Sequence, residues 1–471
     1  MGAFVLSVTV HNRPGVLARI SELFAIVDAN IDRMSAGRTK NRAMSRLRIE
    51  AMLDDRLLPQ LTGALQQLDD VLQIKTAQSR SGSFAYWTAA YGLFIAVMGL
   101  NLVTPLYALY KLQWGLTPGM LSLAFAAYAM AVIPSIIVFG QLSDRGGLRG
   151  MLVPGMLVAL AGSLCLALAG GFPMLVVARV LQGLSVGIFN GVTVAALTKL
   201  HPAQDRRRAA MLGAIAVTAG NAIGPMLAGL LAQFAPMPTL LPYVVHMLLI
   251  VPGLIALLVV RADIPPVAGT NSRLHWPKLP QSIRKWFFVA ALSSFISWGI
   301  TSLFASIIPM YLEQWIGKTG FVLSGFIVAM VLTLSAISQL LSRKWPLRRM
   351  GIFGSLLIGS GLLSLLLTIH TGSILLLTAA ILLVGFGYGP LYAGSLALVN
   401  EIAPDRSRGD VLSFFYGCTY FGVVCPALGL GIMTQLLGLS VAFNWFALIL
   451  GGLLAVSLTG WIRMKGESRK E

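Results

Sequence analysis

Arg179 is a charged side chain inside an apolar run, Ala178-Arg179-Val180-Leu181-Gln182-Gly183. A guanidinium at lipid depth costs at least ~2.5 kcal/mol unless it is paired or hydrated. Such a group is retained for a function or to tie down backbone carbonyls of neighbouring helices. Gln182 lies one helical turn further on and shares its face. A second set of residues, Gly140, Asp144, Arg145, Gly147 and Arg149, separates two apolar runs. Its glycines permit a sharp bend and its arginines mark a water-facing membrane surface, so a tight turn is expected. A carboxylate or imidazole buried in such a run can have its pKa moved into the working range and carry a proton. None of the nine acidic residues after position 81 lies in the middle of an apolar run. The candidates are then Glu313 near the end of one run, His246 within another, and Asp144 itself; His246 also reads as a core imidazole satisfied by its neighbours. A third set, Asn12-Arg13-Pro14-Gly15-Val16-Leu17, ends a strand pattern and opens a helix. The first amides of a helix have no internal partners, Pro14 fixes the entry and Gly15 leaves the backbone open to approach. That suits a small carboxylate, with the side-chain amides of Asn12 and Asn30 for its other polar groups.

Other chemistries find no support. Cys165, Cys418 and Cys425 all sit in apolar runs, without disulfide or metal-ligand spacing. No Gly-x-x-x-x-Gly-Lys-Ser/Thr loop is present for a nucleotide phosphate. No metal, cofactor or catalytic cluster is implied, and an enzyme is not expected.

The scaffold that must position these groups crosses lipid. Only 11% of the 471 residues are charged and the mean hydropathy is +0.80, which marks an integral membrane protein. Twelve apolar runs, each near the length a span needs, lie at about 86–109, 120–141, 151–171, 173–198, 209–233, 240–260, 286–312, 320–341, 351–370, 373–399, 410–435 and 440–462. The net charge of +18 is not a nucleic-acid signal, because the basic residues gather in alternate connections between runs. Those connections carry 21 Lys and Arg, the opposite set only Lys111 and Lys318. By the positive-inside rule both termini face the cytoplasm and the chain is a multi-pass protein of the cell membrane. The longest connection, 261–285, holds Pro265, Pro266, Pro277 and Pro280 and reads as a linker between six-helix halves at 86–260 and 286–471. The halves echo each other: Gly183, Gly187 and Pro202 recur 202 residues later as Gly385, Gly389 and Pro404, and Pro225 recurs as Pro426. Ser342 stands where a second copy of the Asp144 set would place its carboxylate.

Residues 1–80 are polar by comparison, with eleven Lys and Arg against eight Asp and Glu. Residues 4–10 alternate as a strand; Val16, Leu17, Ile20, Leu23, Phe24 and Val27 keep helical spacing. Strands at 29–37 and 44–52, a helix over about 54–69 and a closing strand at 71–74 complete a βαββαβ unit. A short linker at 81–85 follows. The fold class is therefore an all-α polytopic membrane protein, twelve transmembrane helices in two six-helix halves, preceded by a small α+β domain.

The pattern Gly140-x-Leu142-x-Asp144-Arg145-x-Gly147-x-Arg149 resembles the loop between the second and third spans of the major facilitator superfamily. Arg179-x-x-Gln182-Gly183 resembles that superfamily's second motif. Gly213, Gly220, Gly224-Pro225 and Gly229 in the fifth run resemble the antiporter motif of its drug and metabolite exporters, except that Ala228 replaces a customary glycine; close helix packing is the plain alternative. The resemblance covers the chain from about residue 86 onward. It implies a secondary transporter, an exporter exchanging a small molecule for protons, with the Asp144 set as conformational gate. Arg179, Gln182, Glu313 and His246 would serve transport and coupling. A cavity between the halves would be lined by Tyr91, Asn101, Trp298, Tyr416 and Tyr420, groups that suit an amphipathic or amino-acid-like substrate. In residues 1–76, Asn12-Arg13-Pro14-Gly15-Val16-Leu17, Asn30-Ile31-Asp32, Met44-Ser45-Arg46-Leu47 and Asp70-Val71-Leu72 resemble, in order, an ACT domain, that of the acetolactate synthase regulatory subunit in particular. This implies a small branched-chain amino acid bound between two such domains by Asn12, Gly15, Val16, Leu17 and Asn30, and hence a homodimer; a degenerate domain that binds nothing is the alternative. A membrane-anchored amino-acid sensor without transport is the competing class.

By the same resemblance Asp144 approaches the start of the eleventh span, near Arg408–Asp410, when the inner gate closes, where free helix amides favour a carboxylate by ~0.3–1 kcal/mol. Asp144→Asn should slow transport and leave folding intact. Transport equal to wild type across a full proton gradient would remove the gate assignment.

Overall fold

The apolar alternation at the start of the chain becomes strand β1 (Gly2–His11) in a computed structural model, which describes residues 2–27, 29–38, 43–53, 57–78, 80–200, 206–259, 279–306, 308, 312, 320–404 and 407–464. Helix α1 (Val16–Ile26), strands β2 (Asn30–Arg38) and β3 (Met44–Leu53), helix α2 (Leu58–Gln66) and strand β4 (Val71–Gln78) follow. The sheet order is β2-β3-β1-β4 with every pair antiparallel. Phe4, Leu6, Val8 and Val10 point to one face because side chains alternate along a strand. They are buried with Val16, Ile20 and Phe24 of α1 and Leu61 and Leu65 of α2. Both helices thus cover one face of the sheet. Gly15 enters α1 with φ +86°, a left-handed conformation that glycine adopts without a β-carbon penalty. Two boundaries differ from expectation. Strand β4 continues to Gln78, and helical backbone begins at Arg80, so the expected linker at 81–85 is the opening of a helix.

Twelve helices among the described residues are long and apolar enough to cross a membrane: Phe84–Trp114, Pro118–Ile136, Gly150–Ala167, Phe172–Asn190, Met211–Phe234, Leu241–Val259, Gln281–Ser306, Phe321–Ser342, Leu347–Thr371, Ile374–Ile402, Gly409–Leu437 and Leu439–Arg463. They are called spans one to twelve. The chain divides into two compact units, Met1–Ala90 with Thr193–Gly213 and Ala256–Ile264, and Tyr91–Val192 with Ala214–Ile255 and Pro265–Glu471. The contacts below lie within the second unit.

Span one is interrupted. Its first helix ends at Leu102, a 3-10 turn covers Thr104–Leu106, and a second helix runs over Tyr107–Trp114. Pro105 causes the break, since it has no N–H to give and its ring crowds the preceding turn. Between spans two and three the chain turns back as expected, but helical backbone runs into the turn from both sides. Helical backbone is assigned without interruption from Pro118 to Ala167, in keeping with a stretch that holds no proline between Pro134 and Pro154. The chain nonetheless reverses there. Tyr128 of span two and Gly162 of span three both flank 182–183 of span four, whereas Ser135 and Gly155 both flank 184–189.

Glycines bring the helices together, and they do so twice. Gly183 and Gly187 of span four lie against Tyr128 and Ser135 of span two. Gly385 and Gly389 of span ten lie in the same way against Leu334 and Ser338 of span eight. A β-carbon on Gly220 of span five would stand 2.7 Å from the Phe94 carbonyl oxygen of span one, and one on Gly422 of span eleven 2.5 Å from that of Phe295 in span seven. The repeat at about 202 residues is therefore a repeat of helix contacts. Between the halves, the backbone of Gly229 meets Phe321 and that of Gly325 meets Pro225, joining spans five and eight. Gly431 meets Ser122 and Pro118, joining spans eleven and two. All of these pairs sit at the end of the bundle that carries the 1–2, 5–6, 7–8 and 11–12 connections, and there the Gln233 side-chain oxygen also accepts from the Val322 amide at 3.1 Å.

Gly220→Val should force span five from span one and lower the thermal midpoint of the detergent-purified protein, as overpacking by ~1–3 kcal/mol. Gly429→Ala, with nothing within 4 Å of the added carbon, should leave it unchanged or slightly higher. Equal midpoints for Gly220→Val and wild type would refute the close approach.

Candidate functional site

The last four carbonyls of a helix have no partner within it, and in a membrane no water stands ready to take them. The first helix of span one ends in that position. Span four supplies the donors. Arg179 Nη1 donates to the Leu100 carbonyl at 2.7 Å and to the Gln182 side-chain oxygen at 2.7 Å, and Gln182 Nε2 donates to the Gly99 carbonyl at 2.8 Å. A cation at a helix carboxyl end is also favoured by the helix dipole. Arg179 is 1% exposed, and its guanidinium carbon lies 4.5 Å over the Tyr128 ring and 5.9 Å from that of Phe125, a cation–π arrangement. The structural role weighed for this residue is thus present. Its Nε, however, is buried without a partner, as are the hydroxyls of Thr104 and Tyr107 in the break.

Across from this group, Trp298 of span seven sits among Tyr388, Tyr392 and Tyr420 at centroid distances of 6.1, 5.7 and 5.5 Å. Tyr392 stacks on Phe415, which in turn meets Tyr416. The indole Nε1 is buried without a partner. The Tyr420 hydroxyl lies beside Asn190 of span four and near Tyr128 of span two, so the two clusters face one another between the halves. Trp298, Tyr416 and Tyr420 were expected here; Tyr388 and Tyr392 were not, although their i, i+4 spacing after Gly387 was visible in the sequence.

The remaining expected residues distribute as follows. The Tyr91 hydroxyl donates to the Leu249 carbonyl of span six at 2.7 Å, and Asn101 Nδ2 donates to Asn221 Oδ1 of span five at 2.7 Å. His246 is fully buried between Ser163 Oγ on Nδ1, 2.7 Å, and the Ile95 carbonyl on Nε2, 2.9 Å. A carbonyl only accepts, so Nε2 carries a proton and Nδ1 of the neutral ring accepts from Ser163. Gly99 makes room for this ring. Gly213 is buried; Gly220, Pro225 and Gly229 take part in the packing described above, and a β-carbon on Gly224 would stand 2.5 Å from the Met98 carbonyl oxygen of span one. Glu313 lies outside the described residues, and so do the side chains of the Gly140, Asp144, Arg145, Gly147 and Arg149 set and that of Arg408.

In the amino-terminal domain, Asp70 pairs with Arg19 of α1 and stands 4.0 Å from Arg13, beside the start of α1. Gly15, Val16 and Leu17 share that helix start, with Val16 buried and Leu17 exposed. Asn12, whose amide donates to the Ala43 carbonyl, follows the end of β1, where His11 is paired with Met44. Asn30 is paired with Met52. Eight residues of β3 separate those rows, roughly 26 Å at about 3.3 Å per residue. Asn12 and Asn30 of one domain therefore do not converge.

The Major Facilitator Superfamily profile matches residues 89–424 and 290–471. The chain belongs to that superfamily. Residues 6–73 match the AHAS small subunit-like ACT domain. MdtD of Salmonella typhi, named for multidrug resistance, is 23% identical over 77% of this chain and 73% of its own length. An uncharacterized MFS-type transporter of Mycobacterium tuberculosis, Rv1250, is 29% identical over 32% of this chain and 26% of its own length. In fold, a POT family transporter crystallised with 5-aminolevulinic acid superposes with a TM-score of 0.68 at 14% identity, over 82% of this chain and 97% of that one. An inward-facing bacterial homologue of the lysosomal transporter Spinster gives 0.61 at 11% identity over the same shares. This superfamily member is thus a multi-pass membrane transporter with an amino-terminal ACT domain.

In this transporter Gln182→Leu should leave the Gly99 carbonyl buried and unmatched, at a cost of ~1–3 kcal/mol. A lowered thermal midpoint in detergent is expected. An unaltered midpoint would show that the break in span one does not depend on this donor.

Proposed function

We propose that this protein is a secondary active exporter, driven by protons, whose activity responds to a small amino acid bound by its ACT domain. The observation that carries the transport reading is the pairing of a seal with a polar centre. The halves meet through Gly229, Gly325 and Gly431 at one end of the bundle, and donor-bearing and aromatic side chains from both halves face each other further in. Two six-helix units around one central site, able to rock about it, are the architecture of alternating access. The charge asymmetry of the connections supports a sealed end on the outer side and both termini in the cytoplasm. The multidrug name of MdtD supports export as the direction. For the coupling proton the candidates remain Glu313, His246 and Asp144.

The regulatory part rests on α1. Its free amides, opened by Gly15, suit a ligand carboxylate, and Asn30 reaches such a ligand from a second copy, since within one domain it lies at the far end of the sheet. The effector is then valine or a close relative, held between two ACT domains of a homodimer.

Purified protein in vesicles with an internal proton-sensitive dye, offered candidate amino acids and cationic drugs in turn, tests the first claim. Substrate-dependent proton movement is expected. Vesicles with no flux for any of them would favour the membrane-anchored sensor. Titration calorimetry tests the second: heat with valine is expected, and none with Gly15→Asp, which places a like charge in the carboxylate site. Absence of heat with all twenty amino acids would reduce the ACT domain to a structural appendage.

A further inference from the structure

Resting on the transport reading, we infer that the cargo is an organic anion, received by Arg179, Tyr107 and Thr104 on one half and by the Trp298 indole on the other. The charge inventory of the bundle is the first argument. Among the described residues of the twelve spans, Arg179 is the one charged side chain away from the span ends; Glu401 and Asp410, the carboxylates in those spans, lie in terminal turns. A buried cation without a carboxylate counter-ion is costly, and a bound anion removes that cost each time the site fills.

The second argument is the inventory of unmatched polar atoms. Arg179 gives Nη1 to the Leu100 carbonyl and to Gln182, but its Nε has no partner. Thr104 and Tyr107 follow Leu100 by four and seven residues, and their hydroxyls, 1% and 0% exposed as residues, have none either. Tyr107 and Arg179 pack on the same ring, Phe125, and Tyr107 lies near enough to feel the guanidinium charge. The indole N–H of Trp298 is a donor only, and it too is unmatched. A guanidinium N–H, two hydroxyls and an indole N–H are a set of donors. A carboxylate or similar oxyanion accepts from all of them. An ammonium head accepts from none of them and would meet a fixed like charge. The rings of Tyr388, Tyr392 and Tyr420 around Trp298 offer faces to an apolar body attached to that anionic head.

The test uses the whole protein in vesicles at constant pH with two planar aromatic probes, the anion carboxyfluorescein and the cation ethidium. Carboxyfluorescein should move faster than through protein-free vesicles, and ethidium should not. Arg179→Gln should lower carboxyfluorescein flux roughly tenfold or more, as loss of a charge-assisted contact does, with partial retention by Arg179→Lys. Because Arg179 also holds span one, Tyr107→Phe and Thr104→Val are the decisive variants. Each removes an unmatched hydroxyl, so the thermal midpoint should hold or rise while the half-saturating concentration of carboxyfluorescein rises about fivefold at unchanged maximal rate. Ethidium moved and carboxyfluorescein not, or carboxyfluorescein flux indifferent to Arg179→Gln, Tyr107→Phe and Thr104→Val alike, would overturn the anion inference and leave transport standing. Neither probe moved, in vesicles that still show substrate-dependent proton movement, overturns the anion inference alone. No flux of any kind overturns the transport reading with it.

Discussion

A helix that stops inside a membrane must hand its last carbonyls to some donor, and in this protein the donors are Arg179 and Gln182. Their bonds to the Leu100 and Gly99 carbonyls allow span one to break at Pro105 without leaving polar backbone in hydrocarbon. The break turns Thr104 and Tyr107 into a buried polar face, and Thr104–Leu106 packs against spans seven and eight of the other half. Arg179 is thereby both a cap and a charge. As a cap it settles the geometry of span one; as a charge it makes the centre of the bundle electropositive. Contacts to span two, through Tyr128 and Phe125, hold the guanidinium plane in place, so the same side chain ties three helices of the first half together.

Glycine decides how near those helices come. Hydrocarbon gives no hydrophobic drive for helices to associate, so close backbone approach and dispersion contact carry the packing. The two halves solve this alike, with spans four and ten pressed on spans two and eight, and spans five and eleven pressed on spans one and seven. Between the halves, small residues meet at one end, where Gly229, Gly325 and Gly431 lie against Phe321, Pro225 and Ser122, and Thr104–Leu106 packs against spans seven and eight further in.

The ACT domain obeys different physics. Its core is a strand-period pattern covered by two short helices, the first of which is entered through a left-handed Gly15. Antiparallel register puts Asn12 and Asn30 at opposite ends of the sheet.

Much of this was legible in the residue order. Span number, the six-plus-six division, the βαββαβ pattern and the candidacy of Arg179 followed from apolar run length, alternation and the scarcity of charge, because each is a local property of the chain. Trp298, Tyr416 and Tyr420 were recognisable as cavity candidates from residue type. The chain alone did not reveal that 81–85 is helical, that helical backbone persists through 140–150, or that Tyr388 and Tyr392 complete the aromatic cluster. It also left open whether Arg179 caps carbonyls or carries charge for a ligand. These matters depend on which atoms meet across helices far apart in sequence. Leu100 and Arg179 are 79 residues apart, and Trp298 and Tyr388 are 90. No window of sequence contains both members of such a pair, so only tertiary packing decided that the carbonyls of span one end at the guanidinium of span four and that Nε, two hydroxyls and an indole N–H remain unmatched around them.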